Sequence, residues 1–293
     1  MANENHFAWI NKGVSAWNEW RSQNPDVAPD LTGANLNKIN LNNADLHGAD
    51  FSGASLLGAD LGNTNLSQVN LSSADLSGVD FNAADLSAAN LSRANLLGAY
   101  LSGAKLCNAN LTGAKLNRSD LSNVDLTHAV LDEVILIGSD LSRAKLSHAS
   151  LIRADLSRTE MSRSDLSHSN LTDALLRDTR LMGANVSKTT LLRATLSGAR
   201  LNRADLTATD FTDANLSTAT LLGAKLNEAN LSGADLTDAN LSGANLTDAN
   251  LTAAVLDGAN LSGANLTNAT IADASMEDTD LSQATMPDGT VAG

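Results

Sequence analysis

The stretch LSGADLTDANLSGANLTDAN, residues 231–250, contains the same five-residue pattern four times. The pattern keeps its register, without an insertion, from Leu31 to Leu281. Every fifth residue in this range, which we call the central position, is Leu, Phe, Met, Val or Ile at all 51 sites. Ala usually lies two residues before the central position, Asp or Asn just before it, and Ser or Thr just after it, so the motif is A-[DN]-L-[ST]-x.

A period of five fits neither the 3.6-residue period of a helix nor the two-residue period of a strand. We therefore expect a turn in every unit, with the central and alanine positions facing one interior and successive coils pairing their backbones. Each buried Leu or Phe at a central position contributes roughly 1.5–3 kcal/mol. The predicted core-centre residues include Leu31, Phe51, Phe81, Met161, Phe211 and Ile271.

The repeated motif resembles that of the pentapeptide-repeat proteins, and the resemblance covers residues 31–285. It implies an all-β solenoid, namely a right-handed quadrilateral β-helix with four pentapeptides in each 20-residue coil. The 51 units would then form about 13 coils. We expect an N-terminal helical cap and linker over residues 1–30, the β-helix over residues 31–286 and a C-terminal tail over residues 287–293.

Residues 4–22, ENHFAWINKGVSAWNEWRS, break the five-residue pattern and place apolar side chains at helical spacing. Asn3 or Asn5 is the expected N-cap, and the helix should end before Asn24. This segment is similar to the leader of many bacterial members of the family, notably cyanobacterial ones. We predict that it covers the first coil, and a docking site for another protein is the alternative. The apolar residues of this cap are Phe7, Trp9, Ile10, Val14, Trp17 and Trp20.

The net charge of −14 is unevenly distributed along the chain. Residues 93–225 hold 16 basic and 13 acidic side chains, whereas residues 226–293 hold ten acidic and no basic ones. The acidic excess argues against direct binding to nucleic acid, because like charges repel the phosphate backbone. Some members of the family bind DNA gyrase by imitating duplex DNA. The resemblance therefore leaves a DNA-mimicking gyrase or topoisomerase ligand as the alternative function.

With a 20-residue coil, residues 20 apart should stack on the surface. One column then runs from Asn108 through three histidines to Lys188, and another alternates in charge from Glu133 to Asp213. Both columns are explained by solvated polar side chains and salt-bridge ladders. A metal site and an anion- or pH-sensitive contact are the alternatives at the histidines, and the same columns are a candidate surface for contact with a protein partner. The candidate partner-contact residues are His128, His148, His168, Lys188, Arg153, Arg163 and Arg193.

Several apolar side chains and the single cysteine should point outward. We expect Cys107 to be an exposed and incidental thiol. The apolar residues lie mostly two coils apart, so scattered surface positions explain them better than one partner patch. These residues are Leu57, Leu97, Ile135, Ile137 and Leu175.

The sequence contains no P-loop, no GxGxxG on a strand–helix unit and no HExxH. We therefore predict a non-enzymatic protein-interaction rod that has no cofactor and acts through an unknown protein partner. The sequence shows neither a membrane-spanning apolar run nor a secretory signal, and a cytoplasmic location is expected. A homodimer through the C-terminal coils is a further hypothesis, because several members of the family dimerise in that way.

Overall fold

The computed structural model describes residues 2–293. Contacts between Cα atoms divide the chain into two compact units, Met1–Lys145 and Leu146–Gly293, which we call unit 1 and unit 2. Unit 1 holds the two helices, and each unit holds its own series of five-residue repeats.

The N-terminal segment forms two helices instead of the single helix predicted. Helix α1 spans Glu4–Ile10 and helix α2 spans Val14–Gln23. Asn3 is the N-cap of α1, as expected, and its Oδ1 accepts hydrogen bonds from the N–H groups of Asn5 and His6. The prediction of one helix was wrong because Gly13 adopts φ +93°, a conformation that interrupts a right-handed helix. Asn11 and Gly13 are the residues that typically follow a helix end.

The backbone of each repeat pairs with residues 20 positions away. In unit 1 the Leu31 N–H donates to the Asp50 carbonyl at 2.7 Å, and the Asp50 N–H donates to the Pro29 carbonyl at 2.8 Å. Parallel bridges repeat this relation from Asp30↔Asp50 to Asp125↔Lys145 in unit 1, and from Ser150↔Asn170 to Asn265↔Thr285 in unit 2. Within residues 2–293 the β structure consists of these one-residue bridges and contains no longer strand.

A tight turn separates one bridge from the next. The Ala34 N–H donates to the Leu31 carbonyl at 3.0 Å, and the same bond recurs along the chain. The residue two after each central position, which we call the corner position, has φ between +54° and +69° at all 51 sites. Only 16 of these residues are Gly, so 35 side-chain-bearing residues adopt the left-handed conformation.

The interior of both units contains the central and alanine positions, as predicted. Leu31, Phe51, Phe81, Met161 and Phe211 are at most 1% exposed.

The prediction for Ile271 was wrong, because this residue is only half-buried, as are Met276 and Leu281. These side chains lie in the last coil of unit 2, where no later coil covers them. A side chain at a central position is therefore fully buried only when an adjacent coil covers it; the motif alone is not sufficient.

Where Ser or Thr replaces the interior Ala, its hydroxyl is satisfied by the backbone. Thr179 donates to the Leu156 carbonyl at 2.8 Å, and Thr189 donates to the Leu166 carbonyl at 2.7 Å. Such bonds remove most of the cost of burying a hydroxyl. The interior therefore tolerates these substitutions without a change in register.

The C-terminus of unit 2 folds back as a short hairpin. Thr285 and Val291 form an antiparallel bridge, and Gly289 adopts φ +83° in the turn between them. The Gln283 N–H donates to the Ala292 carbonyl at 3.0 Å. This hairpin supplies backbone partners to one side of the last coil.

Candidate interaction surfaces

Side chains of helix α2 form hydrogen bonds with the backbone of the first coil of unit 1. The helix lies where a preceding coil would lie in the inner part of the repeat. Trp17 Nε1 donates to the Asp45 carbonyl at 2.7 Å, and the Asp45 N–H donates to Asn18 Oδ1 at 2.9 Å. Asn18 Nδ2 donates to the Asn43 carbonyl at 3.0 Å. In an inner coil the preceding coil supplies the partners of the N–H and carbonyl groups that correspond to those of Asp45, as Ala44 and Leu46 do for Asn65. The helix therefore satisfies an edge that would otherwise remain open.

A second set of cap contacts lies around Arg21, which is 4% exposed. Its guanidinium donates to the Val27 carbonyl at 2.5 Å and to the His47 carbonyl at 3.1 Å. The carboxylate of Asp45 lies 3.9 Å from Arg21 Nε. A shallow cavity of about 130 Å³ lies beside these groups, between the chain at Pro25–Ala28 and the coil at His47. Since the guanidinium joins the linker to the first coil, we assign Arg21 a structural role.

The six predicted cap residues are not equally buried. Ile10 and Trp17 are fully buried, whereas Phe7, Trp9, Val14 and Trp20 are half-buried.

The indole rings of the cap form a cluster centred on Trp20. The Trp20 ring lies 5.2 Å from the Trp17 ring and 6.5 Å from the Trp9 ring, between centroids. Lys12 Nζ lies 3.5 Å from the centroid of the Trp9 ring, which is a cation–π distance. The buried half of the cap therefore covers the coil, and the half-buried rings form its outer surface.

The Asp and Asn residues that precede the central positions form two kinds of polar contact. Asp30 Oδ1 accepts from the Thr32 N–H at 3.0 Å, and this bond within the turn holds the pKa of Asp30 below its ordinary value. Between coils, Asn70 Nδ2 donates to Asp50 Oδ1 at 3.0 Å, and Asn90 Nδ2 donates to Asn70 Oδ1 at 3.2 Å. These bonds form the side-chain ladders that the 20-residue period predicts.

One pair of the predicted salt-bridge ladder is present in unit 2, between Arg193 and Asp173. Arg193 Nε and one terminal guanidinium nitrogen each lie 2.8 Å from a different Asp173 oxygen. The hydrogen bond from Arg193 lowers the pKa of Asp173, and the charges of Arg193 and Arg153 act in the same direction. Both side chains are exposed, so the pair contributes little to stability and chiefly orders the surface.

The histidine column forms a stack within unit 2. The rings of His148 and His168 are 4.9 Å apart between centroids and are inclined by only 9°. Lys188 occupies the next position, and His128 occupies the corresponding position in unit 1. Within residues 2–293 no group of three or more His, Cys, Asp or Glu is placed to hold a metal ion. Parallel rings do not direct their nitrogens at a common point, so this geometry does not favour the metal alternative.

One surface of unit 2 concentrates arginine in a way that the column-by-column sequence analysis missed. Bridges join Glu160, Arg180, Arg200 and Thr220 in succession, so these residues form the midline of one face. The residues two and three positions before each midline residue form one edge, and the corner residues three positions after it form the other. We call the basic part of this surface the arginine face; its six arginines are Arg158, Arg163, Arg177, Arg180, Arg200 and Arg203.

All six of these arginines are exposed. Arg180 lies 3.6 Å from Glu160, and, among residues 2–293, Arg163 and Arg203 form no ion pair. The 20-residue period places Arg177, Arg180 and Arg200 beside the predicted Arg163, so the sequence alone contained this information. Arg153, Arg193 and Lys188 occupy corner columns outside the arginine face.

The same surface continues toward the C-terminus with the opposite charge. Midline bridges run on through Asn240 and Asn260 to Asp280. The five acidic residues of this part, which we call the acidic segment, are Asp238, Asp257, Glu277, Asp278 and Asp280. Asp257 accepts hydrogen bonds from Ser275 and Glu277, and these bonds lower its pKa. One surface of unit 2 is therefore basic in its first part and acidic in its last.

The apolar side chains expected on the surface are only partly exposed. Leu57 and Leu97 are 42% and 49% exposed, whereas Ile135, Ile137 and Leu175 are half-buried. The prediction that Cys107 is exposed was also wrong, because it is half-buried and its Sγ lies 3.2 Å from Ser87 Oγ of the neighbouring coil. Stacking of successive coils shields such positions in a way that a single repeat does not reveal.

Among residues 2–293, neither helix is long and apolar enough to span a membrane. A sequence model described as pentapeptide repeats matches the chain in overlapping segments that together run from residue 30 to residue 283. The chain belongs to the pentapeptide-repeat family. No curated protein matches it in sequence.

Solved structures of other pentapeptide-repeat proteins are similar to this family member. HetL from the cyanobacterium Nostoc sp. strain PCC 7120, which is involved in heterocyst differentiation regulation, is 32% identical over 94% of this chain and 98% of its own, with a TM-score of 0.29. QnrB1, a plasmid-mediated fluoroquinolone resistance protein, is 22% identical over 61% of this chain and 87% of its own, with a TM-score of 0.43. Rfr23 from the cyanobacterium Cyanothece 51142 is 26% identical over 41% of this chain and 58% of its own, with a TM-score of 0.13.

Proposed function

We propose that this pentapeptide-repeat protein is a non-enzymatic scaffold that binds a protein partner through the outer surface of unit 2. The observation that supports this proposal is the arginine face. Six exposed arginines and two acidic side chains lie within three coils of a protein whose net charge is −14. Clustered arginines favour recognition of acidic groups, because each guanidinium offers several fixed donors.

Capture of partners from the native host tests the proposal. The variant Arg163→Glu/Arg203→Glu should lose partners that the unaltered protein retains, because it reverses the charge at one edge of the arginine face. A matched control, Lys188→Glu/Lys225→Glu, makes the same charge change on other faces of unit 2 and should retain those partners. Identical partner sets for the three proteins would contradict the proposal.

The finer fold is part of the same proposal. We infer about 13 four-sided coils in the chain, because bridges recur every 20 residues and four turns fall within that interval. The right-handed sense of the coil is proposed from membership of the family. The division into a cap at residues 1–30, repeats at 31–286 and a tail at 287–293 is proposed on the same periodicity. A cytoplasmic location remains a prediction from the sequence.

A second candidate function is binding to DNA gyrase or another topoisomerase by imitation of DNA. It is supported by residues 226–293, which hold ten acidic and no basic side chains. Purified protein should then inhibit or protect gyrase in a supercoiling assay, and an Asp238→Asn/Asp278→Asn variant should act more weakly. Unchanged supercoiling at micromolar protein would exclude this function.

Dimerisation through the last coil is also proposed, and the half-buried Ile271, Met276 and Leu281 support it. A second copy could cover these side chains as an inner coil covers its neighbour. Substitution of Met276 by Lys should then reduce the dimer fraction measured by light scattering. A monomer at high concentration would reject the hypothesis.

A further inference from the structure

One edge of the arginine face alternates arginine with apolar side chains from coil to coil. The four residues concerned, which we call the mixed edge, are Arg163, Met182, Arg203 and Leu222. The Arg163 N–H donates to the Met182 carbonyl at 3.1 Å, and the Arg203 N–H donates to the Leu222 carbonyl at 3.0 Å. Each arginine therefore lies directly beside an apolar residue of the next coil.

All four side chains of the mixed edge are exposed. Met182 is 39% exposed and Leu222 is 46% exposed, and among residues 146–293 only Val291 in the hairpin is another large apolar residue exposed to this degree. The residue that follows each of them is a glycine, and a Cβ added at Gly223 would lie 3.9 Å from Arg203 Cγ. The stem of Arg203 therefore extends toward the turn that carries Leu222.

The alternation is confined to four consecutive coils. Met182 and Leu222 replace the Ser or Thr of the motif, whereas the next two coils have Ser-Gly at the same two positions, residues 242–243 and 262–263. The repeat motif therefore does not account for the pattern. An edge that presents both apolar surface and guanidinium groups is suited to a partner that offers apolar groups and carboxylates together.

We propose that the mixed edge, together with the midline residues Arg180 and Arg200, binds an acidic amphipathic α-helix of a protein partner. The helix lies along the direction in which the coils stack. Its apolar stripe covers Met182 and Leu222, and its carboxylates face the arginines on either side. This inference rests on the proposed function and names the chemistry of the partner that the arginine face binds.

The spacing of the mixed edge favours a helix over an extended strand. Residues of the same kind are two coils apart, which is about 9.6 Å at about 4.8 Å for each coil. Seven residues of a helix advance about 10.5 Å, and residues three or four apart share one side of it. Side chains on one side of a strand recur at about 6.7 Å and about 13 Å, and neither distance matches. A helix with apolar residues at i and i+7 and a carboxylate at i+3 or i+4 therefore follows the edge.

The surrounding charges limit the length of the contact. Asp238, the first residue of the acidic segment, lies in the coil after that of Leu222 and repels an acidic helix that extends further. The four coils of the mixed edge span about 14 Å, which corresponds to about ten residues of helix. So short a contact is smaller than a standard protein interface, and we expect a dissociation constant no tighter than about 1 μM.

Duplex nucleic acid is the competing class of acidic partner. Its phosphates offer no apolar surface to Met182 and Leu222, and the net charge of −14 opposes its approach to the chain. The mixed edge therefore favours a protein helix, and the experiment includes duplex DNA as a competitor.

Fluorescence anisotropy with a synthetic peptide and the full chain tests the proposal. The probe has about 20 residues, enough to form a helix, with Leu at every seventh position and Glu three and four residues after each Leu. The variants Arg163→Glu/Arg203→Glu and Met182→Gln/Leu222→Gln should each raise the dissociation constant about tenfold or more. Replacement of Glu by Lys in the probe should restore binding to the arginine variant and to no other.

Matched controls change side chains elsewhere on the surface. Lys188→Glu/Arg193→Glu makes the same charge change at corner columns outside the arginine face, and Leu57→Gln/Leu97→Gln removes two exposed leucines of unit 1. Both controls should bind the probe like the unaltered protein. A peptide of the same composition in which Leu and Glu alternate should bind at least about tenfold more weakly, because it has the period of a strand. Circular dichroism should show every variant folded, since all the substituted side chains are exposed.

The inference is overturned if the unaltered protein does not bind the probe, or if all variants bind it equally. It is also overturned if only the arginine variant weakens binding and duplex DNA displaces the probe. Capture of host proteins that needs Arg163 and Arg203 but not Met182 and Leu222 would remove this inference and leave the proposed function standing. Capture that the arginine variant retains in full would contradict the proposed function itself.

Discussion

The first coil of unit 1 and the last coil of unit 2 contain the same motif in different surroundings. In the first coil, Leu31, Leu41 and Leu46 are fully buried. In the last coil, Met276 and Leu281 are only half-buried. The first coil is covered by helices whose side chains bond to its backbone, whereas the last is covered on one side by a hairpin.

This difference shows that the repeat alone does not create a core. A central leucine gains its stabilisation only when the coils on both sides exclude water. The helical cap supplies a hydrophobic contact and directed hydrogen bonds at one end. At the other end, the hairpin satisfies backbone groups but leaves apolar side chains partly open.

The largest expected effect is that of a charge placed in an inner coil. Leu201 is fully buried in unit 2, so Leu201→Asp buries an unpaired carboxylate and removes a core side chain. We expect a loss of more than about 4 kcal/mol in the free energy of unfolding. Chemical denaturation followed by circular dichroism measures it.

The matched variant is Leu281→Asp in the last coil, where the side chain is half-buried. We expect a loss of about 1 kcal/mol or less, because the carboxylate can reach water. Equal losses for the two variants would contradict the idea that covering coils determine the contribution of the motif.

The second effect concerns the helical cap. Trp17→Ala removes a fully buried indole and its hydrogen bond to the Asp45 carbonyl. A loss of about 3–5 kcal/mol is typical of such truncations. Hydrogen exchange should show faster exchange of amides in the first two coils of unit 1. Trp9→Ala is the control; its ring is half-buried and mainly contacts Trp20 and Lys12, so protection of those coils should change little.

The third and smaller effect concerns the hairpin. Deletion of residues 287–293 removes the partners of the Gln283 and Asn268 N–H groups. We expect the amides of the last coil to lose protection, with a cost of about 1–2 kcal/mol confined to that coil. Unchanged exchange at these two amides would show that the hairpin does not cover the end.

The five-residue repeat and the identity of most of the core could be predicted from sequence, because they depend on one short pattern that recurs without interruption. The 20-residue pairing does not follow from that pattern alone; it was implied by the resemblance to the family. Ile271 could not be placed correctly by that pattern, since its burial depends on whether a further coil covers it. The helix break at Gly13 was missed because apolar spacing was weighed above the local preference of glycine.

The candidate surface was predicted only in part for a related reason. Columns of residues 20 apart identified the Arg193–Asp173 pair and the stack of His148 on His168. The arginine face joins residues from four neighbouring columns, and adjacency across a face becomes evident only when the bridged midline is known.

We expect the smallest change in stability from substitutions at the corner positions, whose backbone conformation is the same in the two units. Gly33 in the first coil has φ +66° and Gly263 in unit 2 has φ +64°, and an added Cβ would meet no atom within 4 Å at either. Gly33→Ala and Gly263→Ala should each cost about 1 kcal/mol, because left-handed strain is local. Ala83→Gly, where φ is +56°, should relieve such strain and change stability by no more than about 0.5 kcal/mol, since the gain is offset by added freedom of the unfolded chain. Urea denaturation midpoints measure these differences, and a clearly larger loss at one glycine than at the other would show that the corners, too, depend on the covering coils.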